Sequence, residues 1–157
     1  MSDIAISPAR PKEADALTAL VMRSKQSNGY DDAFMAACVD ELAVTAAHIK
    51  ASEFWVARDS DTLCGCACLY PHAGKPSAEV HWFFIDPDHK RRGIGRLLWA
   101  KLIDRAMALN IQTITLDADP EAVPFYLAMG AKIVGEAPSG SIKGRTLPKM
   151  QITLEAD

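Results

Sequence analysis

The sequence predicts a single domain of the α/β (α+β) class, spanning residues 1–157, with its elements in the order β-α-α-β-β-β-α-β-α-β-β. A chain of 157 residues suits one compact domain. Its 49% hydrophobic and 24% charged residues are typical of a soluble domain that buries a sizeable core. Segments of alternating apolar residues, which favour strands, exchange along the chain with segments of three-to-four spacing, which favour helices.

A short strand and a helix are predicted at the start. Ile4 and Ile6 alternate with smaller residues, and Pro8 and Pro11 end that strand. A helix over 12–25 follows, because its apolar or small residues recur at helical spacing. These residues are Ala14, Leu17, Leu20, Val21 and Ser24.

A second helix is predicted to begin at Asp31 and Asp32, whose carboxylates can cap its first turn and favour the positive end of its dipole. Thr45 opens one more helical turn. The expected buried stripe of the second helix is Phe34, Met35, Cys38 and Leu42.

A three-stranded meander is predicted next, followed by two helices and three further strands. Strands are predicted over 53–59, 62–70 and 78–85, since these segments are rich in aromatic and β-branched residues. An amphipathic helix runs to about Leu109, and Gly130 fits the position after a helix end. The remaining predicted elements are a strand over 111–117, a helix over 120–129, and strands over 132–136 and 147–154.

Composition and cysteine spacing limit the classes of function. The net charge of −3 argues against nucleic acid as the main partner, and the apolar stretches are too short to cross a bilayer. No secretory signal is apparent, so a cytoplasmic location is expected. Cys64, Cys66 and Cys68 alternate on one strand, where neighbouring thiolates lie too far apart to share one zinc ion. We therefore expect no metal and small buried side chains on one strand face.

A basic, glycine-containing loop lies between the strand ending at Ile85 and the next helix. Gly93 and Gly95 leave room for an anion at the helix N-terminus, whose unpaired N–H groups favour phosphate. The loop lacks the Lys-Ser or Lys-Thr of a Walker loop and the third glycine of a dinucleotide fingerprint. Its other residues that we expect to contact phosphate are Lys90, Arg91, Arg92, Ile94 and Arg96.

Two motifs resemble the GNAT N-acetyltransferases. Residues 90–95, Lys-Arg-Arg-Gly-Ile-Gly, resemble the family's pyrophosphate loop, Gln/Arg-x-x-Gly-x-Gly/Ala, with Lys90 as the departure. Residues 119–131 resemble its second signature, Asn-x-x-Ala-x-x-x-Tyr-x-x-x-Gly-Phe, with Asp119 for Asn and Ala131 for Phe. The order of elements also matches the GNAT fold, one mixed, mostly antiparallel sheet with helices on both faces. Further segments resemble a bacterial subgroup whose acceptor is unassigned.

The resemblance implies where acetyl-CoA would bind. It places the cofactor in a V-shaped opening between the strands ending at Ile85 and Asp117. Backbone groups of Phe83, Phe84 and Ile85 would bind the pantetheine arm, and an N–H near Phe84 or Ile85 would polarise the thioester carbonyl. Asp119 would contact the pantetheine amides, or else cap the helix at Pro120.

The resemblance also implies the groups that transfer protons. Tyr126 matches the family tyrosine that protonates the departing thiolate, although it could instead pack a helix on the sheet. Glu79 and His81 lie two residues apart on one strand face. Either could deprotonate the acceptor amine, directly or through water; otherwise Glu79 is an exposed strand end and His81 a half-buried, hydrogen-bonded residue.

The acceptor is expected to be a small-molecule or peptide amine. Arg23, Tyr30 and Arg145 are candidates for its pocket, because the first two helices and the last hairpin border that side of the fold, and arginines would suit an acceptor with a carboxylate or phosphate. The resemblance suggests a homodimer. A non-catalytic acyl-CoA sensor is the alternative function, since it needs the loop but no base or acid. Three histidines, His48, His72 and His89, are expected at the surface.

Overall fold

One seven-stranded sheet organises the chain, and the computed structural model describes residues 4–154 of it. The two ends of the predicted 1–157 domain lie outside the described residues. The strands are β1 (Ile4–Pro8), β2 (Glu53–Asp59), β3 (Thr62–Pro71), β4 (Ser77–Ile85), β5 (Thr113–Asp117), β6 (Lys132–Pro138) and β7 (Thr146–Thr153). The helices are α1 (Ala14–Gln26), α2 (Asp32–Leu42), α3 (Ala46–Ala51), α4 (Ile94–Ala108) and α5 (Val123–Ala128).

The sheet is mixed and mostly antiparallel, which confirms the predicted fold class. Its strand order is β1-β2-β3-β4-β5-β7-β6, and the β4–β5 pair alone is parallel within the described chain. That pair holds only from Ser77 to Glu79 on β4 and from Thr113 to Thr115 on β5. Beyond Glu79 the two strands separate, so the middle of the sheet opens into a V.

A β-bulge interrupts β4 beside this opening. Cys66 pairs with Phe84 and Cys68 pairs with His81, so one residue of β3 faces two residues of β4. Trp82, within the bulge, has a positive φ of 47°. Its indole Nε1 donates a hydrogen bond of 2.9 Å to the carbonyl oxygen of Leu42, which ties the end of α2 to the bulge. A bulge of this kind re-aims the backbone groups that follow it.

Two apolar clusters cover the two faces of the sheet. Helices α1 and α2 contribute Leu17, Leu20 and Met35 to one cluster. Helix α4 contributes Leu98 and Leu102 to the other. All five side chains are at most 5% exposed, and they recur at the three-to-four spacing that gives each helix a single apolar face.

Several element boundaries differ from the predicted ones. The helical turn expected after Thr45 is a helix of six residues, and the Thr45 side chain accepts a hydrogen bond from the His48 N–H at its start. Strand β5 begins two residues later than expected, because the N–H of Ile111 donates to the carbonyl oxygen of Ala106 and closes the end of α4. The helices expected at 12 and 120 each begin with a short 3-10 turn.

The cysteines of β3 do not share one face, and that part of the prediction is wrong. Ala57 pairs with Gly65 and Arg58 pairs with Leu63, so Cys64 is an extra residue in a bulge. The bulge turns Cys64 into the α4 cluster, whereas Cys66 and Cys68 lie in the α1–α2 cluster. A register change of one residue exchanges the two faces of a strand.

Residues 4–154 lack two kinds of feature. They contain no helix with the length and apolar character needed to cross a membrane. They also contain no group of three or more His, Cys, Asp or Glu side chains that could hold a metal ion.

Candidate active site

The V between β4 and β5 opens into a cavity of about 680 Å³. The ends of α1 and α2, the bulged half of β4, the end of β5 and the start of α5 all contribute to its wall. The predicted site residues that line it are Glu79, His81, Phe83, Phe84, Ile85, Gly95, Asp119 and Tyr126. The structure therefore brings together most of the residues expected to bind the pantetheine arm or to transfer protons.

The backbone of β4 presents alternate residues to the opening. The N–H of Asp86 donates to the carbonyl oxygen of Cys64 on β3, at 2.8 Å. Backbone groups of successive strand residues point to opposite sides, so those of Ile85 point away from β3 and into the V. The N–H of Phe84 faces β3, where Phe84 pairs with Cys66. Of the two N–H groups considered from the sequence, that of Ile85 is available to a bound molecule.

The two loop glycines have different roles. Gly93 caps the N-terminus of α4 with φ of +75°, a conformation that L side chains rarely adopt, and a Cβ there would meet no atom within 4 Å. The open space lies at the positive end of a helix of 15 residues. Gly95 instead permits close packing, since a Cβ there would lie 3.1 Å from Cε1 of Phe125.

The basic residues of the loop divide into two groups. Arg92 is held in the protein by an ion pair of 2.8 Å with Asp59. Lys90 makes a hydrogen bond of 3.3 Å to the hydroxyl of Ser27 and is exposed. Arg91 and Arg96 are exposed and form no ion pair with any residue in 4–154. Ile94 is buried beneath the loop, so its side chain belongs to the core.

Tyr126 lies on the cavity wall within an aromatic cluster. Its ring centroid is 5.8 Å from that of Phe83, 5.8 Å from that of Trp99 and 5.4 Å from that of Phe125. Burial, reinforced by the negative charge of Asp119, raises the pKa of Tyr126 well above its ordinary value of 10.0. The phenol is therefore protonated at neutral pH, as an acid that serves a thiolate must be.

Glu79 is held by a histidine from the β3–β4 turn. The Nε2 atom of His72 lies 2.9 Å from Oε2 of Glu79. This hydrogen bond is the largest cause that lowers the pKa of Glu79, and nearby Lys149 adds to it although partial burial opposes the change. His81, the other candidate base, is exposed, and its ring stands edge-on to that of Tyr70 at 6.3 Å.

Asp119 joins a buried ionic cluster. Its Oδ2 accepts hydrogen bonds from Nζ of Lys25 at 2.6 Å and from the hydroxyl of Tyr30 at 2.8 Å. Its Oδ1 accepts from the N–H of Glu121, so the carboxylate also caps the turn that begins at Pro120. Burial alone would raise the pKa of Asp119, but these hydrogen bonds outweigh it and lower the pKa.

The three predicted acceptor residues do not line the cavity. Arg23 forms an ion pair of 2.7 Å with Asp86 at the end of β4. Arg145 donates to the Tyr30 hydroxyl at 2.7 Å and lies over the Tyr30 ring at 5.2 Å. Arg145 and Tyr30 thus extend the Asp119 cluster, which connects the β6–β7 loop with the end of α1.

Sequence reasoning missed two residues of this region. Lys25 lines the cavity and is only 8% exposed, and the sequence carries a signal for it, because Lys25 follows Leu17 and Val21 on the buried face of α1. His72 was expected at the surface but is half-buried against Glu79. Its signal is the hairpin register: Tyr70 opposite Glu79 and Pro71 opposite Ala78 bring residue 72 next to residue 77.

Comparison with a family model and with curated proteins agrees with this geometry. The model of the acetyltransferase (GNAT) family matches residues 16–131, well over half of the chain. The protein named uncharacterized N-acetyltransferase ycf52, from Gracilaria tenuistipitata var. liui, is 31% identical over 90 residues. Those residues are 57% of this chain and 49% of that protein, so the chain spans about half the length of this relative.

Solved structures share the fold across almost the entire chain. PaiA N-acetyltransferase from Thermoplasma acidophilum, in complex with coenzyme A, has a TM-score of 0.82 and 17% identity, with 97% of this chain and 99% of that chain covered. A GCN5-related N-acetyltransferase from Rhodopseudomonas palustris has a TM-score of 0.79 and 23% identity, with 98% of both chains covered. From the motifs, the split sheet and the family model together, we conclude that the chain belongs to the acetyltransferase (GNAT) family.

Proposed function

We propose that the protein is an N-acetyltransferase that moves the acetyl group of acetyl-CoA to a primary amine by direct attack in a ternary complex. The observation that carries the proposal is the continuous cavity between the diverging strands. It runs from the start of α4, where Gly95 lines it, to Glu79, where β4 and β5 still pair. One end offers backbone N–H groups to a diphosphate, and the other offers a carboxylate to an amine.

The residues of the loop and of β4 bind and orient in this proposal. Gly93 and the following N–H groups receive the diphosphate, and exposed Arg91 and Arg96 add positive charge beside it. Acetyl-CoA supplies an acetyl thioester, the electrophile of the reaction. The N–H of Ile85 points into the V and donates to the thioester oxygen as negative charge develops there.

Two side chains move the protons. A lysine-like amine, with a pKa near ~10.4, must lose a proton before it attacks the carbonyl carbon. Ionised Glu79 receives that proton through a water molecule, with His81 as the alternative group. As the new C–N bond forms and the C–S bond breaks, the Tyr126 hydroxyl protonates the departing thiolate.

The charges of the cavity wall favour an acceptor that carries a second positive charge. Carboxylates from three elements line the cavity in addition to Asp119 and Glu121, namely Asp40 and Glu41 of α2, Glu79 of β4 and Asp117 of β5. Within residues 4–154, Lys25 is the sole lysine or arginine on the wall, and it is paired with Asp119. An acceptor carboxylate would meet repulsion there, whereas an ammonium group would be attracted.

A panel of amines tests both parts of the proposal through the release of coenzyme A thiol. We expect turnover, with kcat/KM for an alkyl diamine at least about tenfold above that for an amino acid of the same length. Tight binding of acetyl-CoA without turnover of any amine would favour the acyl-CoA sensor. Preference for the amino acid would contradict the assignment of acceptor charge and favour a site that includes Arg23 or Arg145.

Replacing Tyr126 with phenylalanine tests the proposed acid. We expect Tyr126→Phe to lower kcat by about 10- to 100-fold, the low end of general acid catalysis, because a thiol is a fair leaving group unaided. The aromatic packing is retained, so the dissociation constant of acetyl-CoA, measured by calorimetry, serves as the control and should not change. Wild-type turnover in this variant would remove the acid role.

A further inference from the structure

A three-residue hydrogen-bonded chain lies behind the carboxylate of Glu79. The Nε2 atom of His72 is 2.9 Å from Oε2 of Glu79, and its Nδ1 atom is 2.7 Å from Oγ of Ser77. The backbone N–H of His72 also donates to the carbonyl oxygen of Ser77, at 2.9 Å. Two bonds therefore hold the imidazole, and a third holds the backbone of His72, at the point where β4 and β5 begin to separate.

The chemistry of these groups decides where the protons lie. An ionised carboxylate only accepts hydrogen bonds, so at 2.9 Å from Oε2 the Nε2 atom must carry the proton. A neutral imidazole has one ring proton, so Nδ1 then accepts from the hydroxyl of Ser77. The carboxylate of Glu79 thus selects the tautomer of His72, and the hydroxyl of Ser77 stabilises that tautomer by donating to Nδ1.

We propose that His72 is a positioning residue that holds Glu79 ionised and oriented toward the acceptor amine, with Ser77 fixing the imidazole. The inference rests on the proposed function, because it assigns Glu79 the role of base. The Glu79 side chain is 44% exposed and would otherwise move among several rotamers. The hydrogen bond from His72 restricts the Glu79 side chain to one orientation and leaves Oε1 of Glu79 available to water in the cavity.

Several titratable or charged groups besides His72 face Glu79. They are His81 on β4, Tyr70 on β3, Asp117 on β5 and Lys149 on β7. His72 is the group that lies within hydrogen-bond distance of the Glu79 carboxylate, at 2.9 Å.

Two variants of His72 test the hydrogen bond to Glu79. His72→Ala removes it, and we expect kcat at pH 8 to fall about tenfold with an unchanged dissociation constant for acetyl-CoA. His72→Gln keeps a donor at the Nε2 position and should restore most of kcat at pH 8. His81→Gln is the parallel variant, because it changes the other candidate base and leaves the hydrogen bond between His72 and Glu79 in place.

A spectroscopic readout tests the contact apart from turnover. Titration of the Glu79 side-chain carboxyl carbon by NMR should give a higher pKa in His72→Ala than in the wild type, because the hydrogen bond from His72 lowers it. An unchanged pKa of Glu79 and an unchanged kcat in His72→Ala would overturn the inference. If Glu79→Gln lost activity while His72→Ala kept it, only the positioning role would fail. If Glu79→Gln kept full activity, the proposed base would fail as well.

Discussion

Gly93→Glu is expected to abolish the binding of acetyl-CoA. A Cβ at this position projects into open space at the head of α4, and the glutamate carboxylate would occupy the volume where the diphosphate meets the helix N–H groups. Bulk and negative charge would act together against a doubly charged anion. Calorimetric titration with coenzyme A should show no binding at concentrations that saturate the wild type.

Gly74→Glu is the matched control for this variant. Gly74 lies in the β3–β4 turn with φ of +71°, close to the +75° of Gly93, and a Cβ there also meets no atom within 4 Å. Both substitutions carry the same backbone strain, roughly 1–2 kcal/mol. Equal loss of stability in the two variants, with loss of binding in Gly93→Glu alone, is the expected pattern. Retained affinity in Gly93→Glu would refute the assignment of the loop.

Asp119→Ala is expected to destabilise the fold by about 3 kcal/mol, since it leaves the buried ammonium of Lys25 without its partner. The ion pair spans 2.6 Å, and both side chains are about 90% buried. The variant also removes the acceptor for Tyr30 and the cap at Glu121. Urea denaturation measures the change in the free energy of unfolding.

Two further variants divide this loss into its causes. Asp119→Asn keeps a side chain that can cap the turn, so it should retain the capping contribution of about 1 kcal/mol and lose the charge interaction. Lys25→Met combined with Asp119→Leu removes both charges and should recover much of the stability. Asp59→Asn breaks the more exposed pair with Arg92, and we expect a loss below about 1 kcal/mol. If Asp119→Ala lost no more stability than Asp59→Asn, the assignment of a buried ion pair between Asp119 and Lys25 would be contradicted.

The pH dependence of stability is an independent test of the Asp119 cluster. The pKa of Asp119 is lowered in the folded state from its ordinary value of 3.8. Its contribution is therefore fully present above about pH 4 and is lost as the pH falls through the lower, folded-state pKa. The difference in stability between the wild type and Asp119→Asn should thus shrink below pH 4.

The spacing of apolar residues predicted the strands and helices well, because the period of each element depends only on residues close together in the sequence. Strand β2 has the predicted bounds, and the loop before α4 lies where the glycines and basic residues placed it. The β-bulges at Cys64 and at Trp82 both escaped prediction. Cys64 and Trp82 sit in runs that alternate or are apolar throughout, and an extra residue in a strand is revealed only by its pairing with a neighbour.

The contacts of the candidate site were less predictable for a related reason. Asp119 is held by Lys25, 94 residues earlier in the chain, and by Tyr30, 89 residues earlier. No spacing rule connects such positions, so the substitution of Asp for the family's Asn had no visible partner in the sequence. His72 and Glu79 are only seven residues apart, but their contact depends on the register of the hairpin.

The burial of every thiol has a practical consequence for enzymology. Cys38, Cys64, Cys66 and Cys68 are unbonded to one another and at most 4% exposed. Burial raises the pKa of Cys64 and Cys66 and raises that of Cys68 to about 11, so these three thiols form little reactive thiolate at neutral pH. A colorimetric reagent for sulfhydryl groups should therefore report coenzyme A without background from the native polypeptide. The slow reaction of the reagent with the cysteines would measure the rate at which the protein unfolds and exposes them.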